Sequence, residues 1–152
     1  MIVAAKLCLA LAAQIIYFYR NQIAAQYPVF KPYLQQACAM LGCRIELLKN
    51  QDALSIETSG LESTAHSSVV VLHATLRNRA ALSQAFPLME LTLTDVQNHT
   101  VARRILKPDE YLRSEKVDMS AGMLANGEIA VKVYMDIGDL KASGYRLLLF
   151  YS

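Results

Sequence analysis

The stretch Ser67–Asn78, SSVVVLHATLRN, decides the fold class. Val70, Leu72, Ala74 and Leu76 fall on one side of an extended chain, with Val71, His73 and Thr75 on the other. A period of two is the pattern of a strand with one face against a core. The same alternation recurs downstream. PLMELTLTD sets Met89, Leu91 and Leu93 in phase, and EIAVKVYMDI does so with Ile129, Val131, Val133 and Met135. Upstream, Leu54–Thr58 alternates as well, and RIELL from Arg44 reads as a further short strand. HTVARRIL and GYRLLLFY complete a set of six or seven strands. DVQNHT reads as a hairpin loop between two of them, and Asn126-Gly127 marks another turn. Many short strands at this spacing predict a two-sheet β-sandwich over residues 44–152. Asp95 is placed to pair with Arg103 or Arg104 across the hairpin.

The first half of the chain follows another rule. IVAAKLCLALAAQIIYFY, Ile2–Tyr19, is nearly all apolar and stops at Arg20-Asn21. About 18 residues at ~1.5 Å each span roughly 27 Å, close to the hydrocarbon thickness of a bilayer. Tyr17, Phe18 and Tyr19 before Arg20 suit the membrane–water interface. Residues 1–26 therefore read as a retained transmembrane anchor. Two competing readings are a cleaved signal peptide and a buried helix of a soluble protein. Against cleavage, Ala10-Leu11-Ala12 lies inside the apolar run rather than after it. Lys6 is near enough to the end of the span to snorkel, or else meets a neighbouring helix. Gln14 lies deeper and suits an interhelical hydrogen bond. Lys6 and Gln14 are thus the candidate contacts of the anchor with other membrane-protein subunits.

Residues 27–43 read as a short helical neck. Ile23, Tyr27, Phe30, Leu34, Ala37 and Leu41 recur at spacings of three and four, giving one apolar stripe. Pro28 and Pro32 predict a break near Gln26 and a second helix from about Pro32 to Leu41. Gly42 suits the left-handed position that ends it. Cys38 and Cys43 would point about 140° apart on a continuous helix, but a reversal at Gly42 brings them within reach. A structural disulfide is the favoured reading, ahead of reduced buried thiols and of metal or redox chemistry. Zinc needs four ligands, and a thioredoxin-like site has two intervening residues rather than four. A disulfide implies an oxidising compartment. The charge count points the other way: Arg20 and Lys31 follow the helix, whereas Lys6 and the amino terminus precede it.

The order of these segments is similar to the C-terminal region of an uncharacterised proteobacterial membrane-protein family. The residues that carry the likeness are ACAMLGC, LRNRA, AFPLMELTLTD, VARRILKPDEYL and GYRLLLFY, behind the apolar helix and the Pro28/Pro32 stretch. Proteins of that family typically have a cytoplasmic zinc ribbon, a linker, one transmembrane helix and a C-terminal domain of unknown function, DUF3426. The resemblance implies an immunoglobulin-like domain in the periplasm, on a single-pass anchor in the bacterial inner membrane. Cys38 and Cys43 would match the family's cysteine pair. The family has no established catalytic residues, so none are carried over. This chain departs from the pattern by starting at the membrane helix, without paired CxxC motifs.

The chain has 152 residues, 54% of them hydrophobic and 18% charged, with a net charge of +2. That charge is small and scattered, so no nucleic-acid partner is expected. His66, His73 and His99 show no metal-ligand spacing, and His73 should face outward. Thr58–Ser68 reads as a polar loop before the first long strand. In LKPDEYLRSEK, Asp109 and Glu110 are adjacent carboxylates that seldom converge on one substrate. Tyr111 is expected to anchor a crossing between the sheets, with Leu112 packed beneath it. No catalytic set, metal site or cofactor is expected. The sequence reads as a non-enzymatic, membrane-anchored interaction module, an accessory subunit of a membrane complex. The alternative is a periplasmic domain that binds a glycan or a lipid.

Overall fold

The computed structural model describes residues 1–63, 68–113 and 115–152, apart from the side chain of Pro28. Contacts divide the chain into two compact units, Met1–Leu48 and Lys49–Ser152.

The first unit is helical. Helix α1 runs from Ile2 to Gln26 and is long and apolar enough to cross a membrane. It ends where expected. Tyr27 precedes Pro28, which disfavours the helical basin, and adopts φ −124° and ψ 82°. A single 3₁₀ turn, Pro28–Phe30, leads into helix α2, Lys31–Leu41. Gly42 closes α2 at φ 67° and ψ 20°, a left-handed conformation that a Cβ would strain. The expected apolar stripe is not turned inward, because Tyr27, Phe30 and Leu41 are all more than half exposed. Instead the buried residues of this unit are the small Ala24 and Cys38. Small side chains let backbones approach closely, and the larger ones are left outside.

RIELL does not form a strand. Its backbone is held by the end of α1 instead. Arg20 Nε donates to the Arg44 carbonyl at 3.2 Å, and the Glu46 amide donates to Asn21 Oδ1 at 3.1 Å. These bonds hold Arg44 and Glu46 to the end of α1, within the unit that runs to Leu48.

The second unit is β. Strands β1 (Leu54–Ser63), β2 (Val69–Asn78) and β5 (Glu128–Asp136) form one antiparallel sheet in the order β1-β2-β5. Strands β3 (Leu88–Thr94), β4 (Thr100–Leu106) and β6 (Gly144–Phe150) form the other, in the order β4-β3-β6. The chain is thus mainly β, with two antiparallel sheets of three strands and an N-terminal apolar helix.

Each alternating set does what its period dictates. Val70, Leu72, Ala74 and Leu76 from β2, Met89, Leu91 and Leu93 from β3, and Val131, Val133 and Met135 from β5 are buried in one cluster. Ile129 is partly buried against it. Leu72, Leu76 and Met89 have no exposed surface. Burying each such side chain contributes about 1.5–3 kcal/mol before the entropy cost is counted. Turns fall where expected: Asn98 takes φ 64° in the β3–β4 hairpin and Asn126 φ 53° before β5.

Thr58–Ser63 is not loop. It continues β1 and pairs with Val70–Thr75. A register shift between Ile56 and Thr58 leaves Glu57 as an extra residue and moves the alternation by one position. Before the bulge Ile56 is opposite Leu76; beyond it Ser59 and Leu61 are opposite Ala74 and Leu72. Residues 64–67 of the expected loop, His66 among them, lie outside the described residues.

Candidate functional site

On α1, Lys6 and Gln14 are eight positions apart, which places them about 80° apart around the axis. Both are exposed. Gln14 sits in a shallow surface depression with Leu11, Ile15, Phe18 and Tyr19, the only one of the five with a side-chain amide. Helix geometry therefore puts both polar groups on one half of a helix whose apolar surface faces outward.

Cys38 and Cys43 are joined by a disulfide, with Cα atoms 4.6 Å apart. The Cys43 amide donates to the Cys38 carbonyl at 2.9 Å, so the Gly42 reversal is fixed by backbone and sulfur together. Cys8, on α1, is free and exposed.

In the β unit the outer face of β1-β2-β5 holds an open groove around Gly60. Gly60 is opposite His73, which is opposite Lys132. Nothing lies within 4 Å of the place a Cβ would occupy on Gly60, so the missing side chain is what opens the groove. His73 faces outward as expected, with Nε2 3.6 Å from Glu62 Oε2. Lys132 Nζ is 5.3 Å from the centre of the Tyr134 ring, a cation–π distance. The groove brings His73, Lys132 and Glu115 together among threonine, serine, alanine and valine residues.

A second opening, of about 150 Å³, lies between edge strands β4 and β5. Leu91, Leu93, Met135 and Ile137 reach its wall from the core, and Arg103, Arg104 and Asp136 stand around it. On the outer face of β4-β3-β6, Ile105 and Leu148 are half exposed on either side of Glu90. The next row is Arg103, Thr92 and Arg146.

The ion pairs differ from the expected one. Asp95 bonds neither arginine. It accepts from the amides of Gln97 and His99 at 2.9 and 2.8 Å, and this turn holds its carboxyl below the usual range, the His99 amide first. Arg103 approaches Glu90 at 3.4 Å, and Arg104 donates to Glu110 at 3.0 Å. Glu110 also accepts from the Lys107 amide at 2.8 Å, capping the short helix α3, Pro108–Tyr111. The Lys107 amide and then Arg104 hold its pKa below the ordinary carboxylate value.

Tyr111 is fully buried with Leu112 beside it, as expected. Its hydroxyl donates to the Pro87 carbonyl at 2.7 Å, and burial pushes its pKa well above the ordinary value. Tyr151 donates to the Ala85 carbonyl at 2.8 Å, and burial pushes it up to about 12.

One polar pair was not foreseen from the sequence. Asn78 and Gln84 are buried and bonded to each other at 2.7 Å. The Asn78 amide nitrogen reaches the carbonyls of Leu82, Met123 and Leu124 at 3.0–3.1 Å, and Gln84 Oε1 accepts from the Asn50 amide at 2.6 Å. This network ties three loops together at the end of β2. The only sequence signal was that Asn78 continues the inward phase of Val70–Leu76, a buried position that a polar residue occupies only with partners. Among the described residues no group of three or more His, Cys, Asp or Glu could hold a metal ion.

A protein-family model described as "Protein of unknown function (DUF3426)" matches residues 51–149, more than half of the chain. The chain belongs to the DUF3426 family. The match runs from just before β1 into β6, so the DUF3426 domain is the two-sheet unit, and both helices of the first unit fall outside it. Neither a curated protein nor a solved structure matches the chain significantly.

Proposed function

We propose that this DUF3426 protein is a non-enzymatic, single-pass protein of the bacterial inner membrane whose β domain is an interaction module in the periplasm. In this reading α1 is the anchor, the two sheets form an immunoglobulin-like sandwich, and the protein is an accessory subunit of a membrane complex. The observation that carries it is the union of a span-length apolar helix, ending at Gln26, with a disulfide that begins twelve residues beyond it at Cys38. A disulfide persists in an oxidising compartment, which favours the periplasmic side for everything after α1. Two surfaces offer association. Lys6 and Gln14 suit polar contacts with neighbouring helices in lipid. Ile105 and Leu148 give the β4-β3-β6 face an exposed apolar pair of the kind protein partners cover.

Native purification in mild detergent tests the accessory role. A stoichiometric membrane-protein companion, weakened by Gln14→Leu or by Ile105→Asp, supports it. An isolated monomer with no companion removes it.

The opening between β4 and β5 favours a second reading, a periplasmic ligand-binding domain. Its apolar wall suits a lipid acyl chain better than a glycan, which needs hydrogen-bonding groups and aromatic platforms. Chemical-shift changes at Leu93 and Met135 on titration with a short-chain lipid would support that reading. Unchanged shifts there would leave the interaction module alone.

A further inference from the structure

The ring closed by the Cys38–Cys43 disulfide, CAMLGC, holds two large apolar residues at its apex. Met40 is 90% exposed and Leu41 74% exposed. A six-residue ring with a left-handed glycine and a cross-link has little freedom to fold these side chains away. They stand exposed on the last turn of α2, with Cys38 buried on the same turn.

The chain that leaves the ring shows where this apex sits. Arg44 follows Cys43 directly, and its carbonyl accepts from Arg20 Nε. Two residues on, the Glu46 amide is bonded to Asn21. The ring is therefore tied back to the level on α1 where the apolar run stops. Arg20 marks that level in two further ways. Its guanidinium lies 4.7 Å from the centre of the Tyr17 ring, and its Nη1 donates to the Tyr17 carbonyl at 3.0 Å. Tyr17, Phe18 and Tyr19 beside it are half exposed or more. Aromatic rings and a snorkelling arginine belong at the headgroup level of a bilayer.

Charge names the occupant. Residues 1–48 carry Lys6, Arg20, Lys31 and Arg44 against a single acid, Glu46. Arg20 and Arg44 flank the base of the ring, where anionic phosphates would meet an exposed apolar tip. Phe30 and Tyr33 on α2 are exposed too, adding interfacial aromatic surface to the same unit.

We infer that the disulfide-closed ring is a membrane-dipping finger: Met40 and Leu41 enter the bilayer interface beside the exit of α1, and Arg20 and Arg44 take lipid phosphates. This inference rests on the reading of α1 as a membrane anchor. Its consequence is mechanical. A span joined to one interfacial foot resists tilting and swivelling, so the neck leaves the membrane in a set direction. The disulfide makes the foot rigid.

The chain contains no tryptophan, so a single introduced indole reports its own surroundings. Full-length Met40→Trp, Leu41→Trp and Phe18→Trp proteins are each reconstituted into phosphatidylcholine–phosphatidylglycerol vesicles. The vesicles are made with and without lipids brominated near the headgroup end of the acyl chain. The indoles at 40 and 41 are expected to emit to the blue of the unfolded protein and to lose intensity to the brominated lipids, as the one at 18 does. Loss at 18 with no loss at 40 and 41 overturns the finger and leaves the anchor standing. A blue shift at 40 and 41 without bromine quenching also overturns it, because protein then covers the ring. No loss at any of the three positions overturns both readings.

Discussion

The two units of this chain use apolar residues in opposite senses. In Lys49–Ser152 one alternating set of large side chains points inward: Leu72 and Leu76 have no exposed surface, and Leu91 is 2% exposed. In Met1–Leu48 they point outward, from Leu9 and Phe18 on α1 to Met40 at the ring. None of the most apolar window of α1 is buried within the chain. The difference lies in spacing as much as in composition. A period of two gives each strand one apolar face, which a second sheet can cover. A helix that is apolar all round has no such face, and needs a solvent that is itself apolar. The β unit thus carries its own core, whereas α1 keeps its apolar surface outside the chain, where the proposed anchor role sets it against lipid.

That contrast is breakable by mutation. Leu72→Ala should cost the β unit about 2–5 kcal/mol, read as a lowered urea midpoint of its cooperative transition. Ile16→Ala should leave the same transition where it was. A large shift from Ile16 would mean that α1 packs into the β core. Tyr111→Phe comes next, because it strands the buried Pro87 carbonyl: about 1–3 kcal/mol by the same titration. No change would show that the hydrogen bond is replaced locally. Reduction of the Cys38–Cys43 disulfide removes about 2 kcal/mol of chain-entropy stabilisation, confined to the neck. Thermal unfolding of the β unit should keep its Tm with and without reductant, while protease cleavage between Leu41 and Leu48 becomes faster.

The smallest effects are those of pH, and they too fall on the β unit. Glu57, Asp95, Glu110 and Asp136 have pKa values lowered by their hydrogen bonds, led respectively by Arg79, the His99 amide, the Lys107 amide and Ser68. A carboxylate with a depressed folded pKa stabilises fully above its unfolded value, about 4, and loses that contribution as pH falls through the folded value. Stability should therefore decline on the acid side of pH 4. Glu110→Gln should flatten that decline slightly; an unchanged acid limb would count against the cap. At the other end Tyr111 and Tyr151 have raised values. Their contribution is whole below the unfolded tyrosine pKa of about 10 and declines as pH rises above it, for Tyr151 through about 12.

What was legible in the sequence follows the same division. Regular periods were readable because each reflects a single geometric rule: the faces of β2, β3 and β5, the end of α1 before Pro28, and the Gly42 reversal. Polar edge strand β1 was half hidden. The bulge at Glu57 breaks the alternation, and ETSGLES has too few apolar residues to restore it by eye. RIELL alternates like a strand but is held by Arg20 and Asn21, partners more than twenty positions away. Asp95 looked like half of a cross-strand ion pair, yet turn amides lie nearer than any arginine. Of the proposed association surfaces, Lys6 and Gln14 stood out because polar groups are conspicuous in an apolar run. The Gly60 groove, the opening beside Leu93 and the apex of the disulfide ring depend on how elements meet, and no local period encodes that.

The most direct test of the account concerns the side of the membrane on which the β unit lies. Two fusions after Ser152 are expressed in bacteria, one to alkaline phosphatase, active only outside the cytoplasm, and one to green fluorescent protein, fluorescent only within it. The account predicts membrane-bound phosphatase activity and dark fluorescent-protein cells. Bright cells with inactive phosphatase would contradict it.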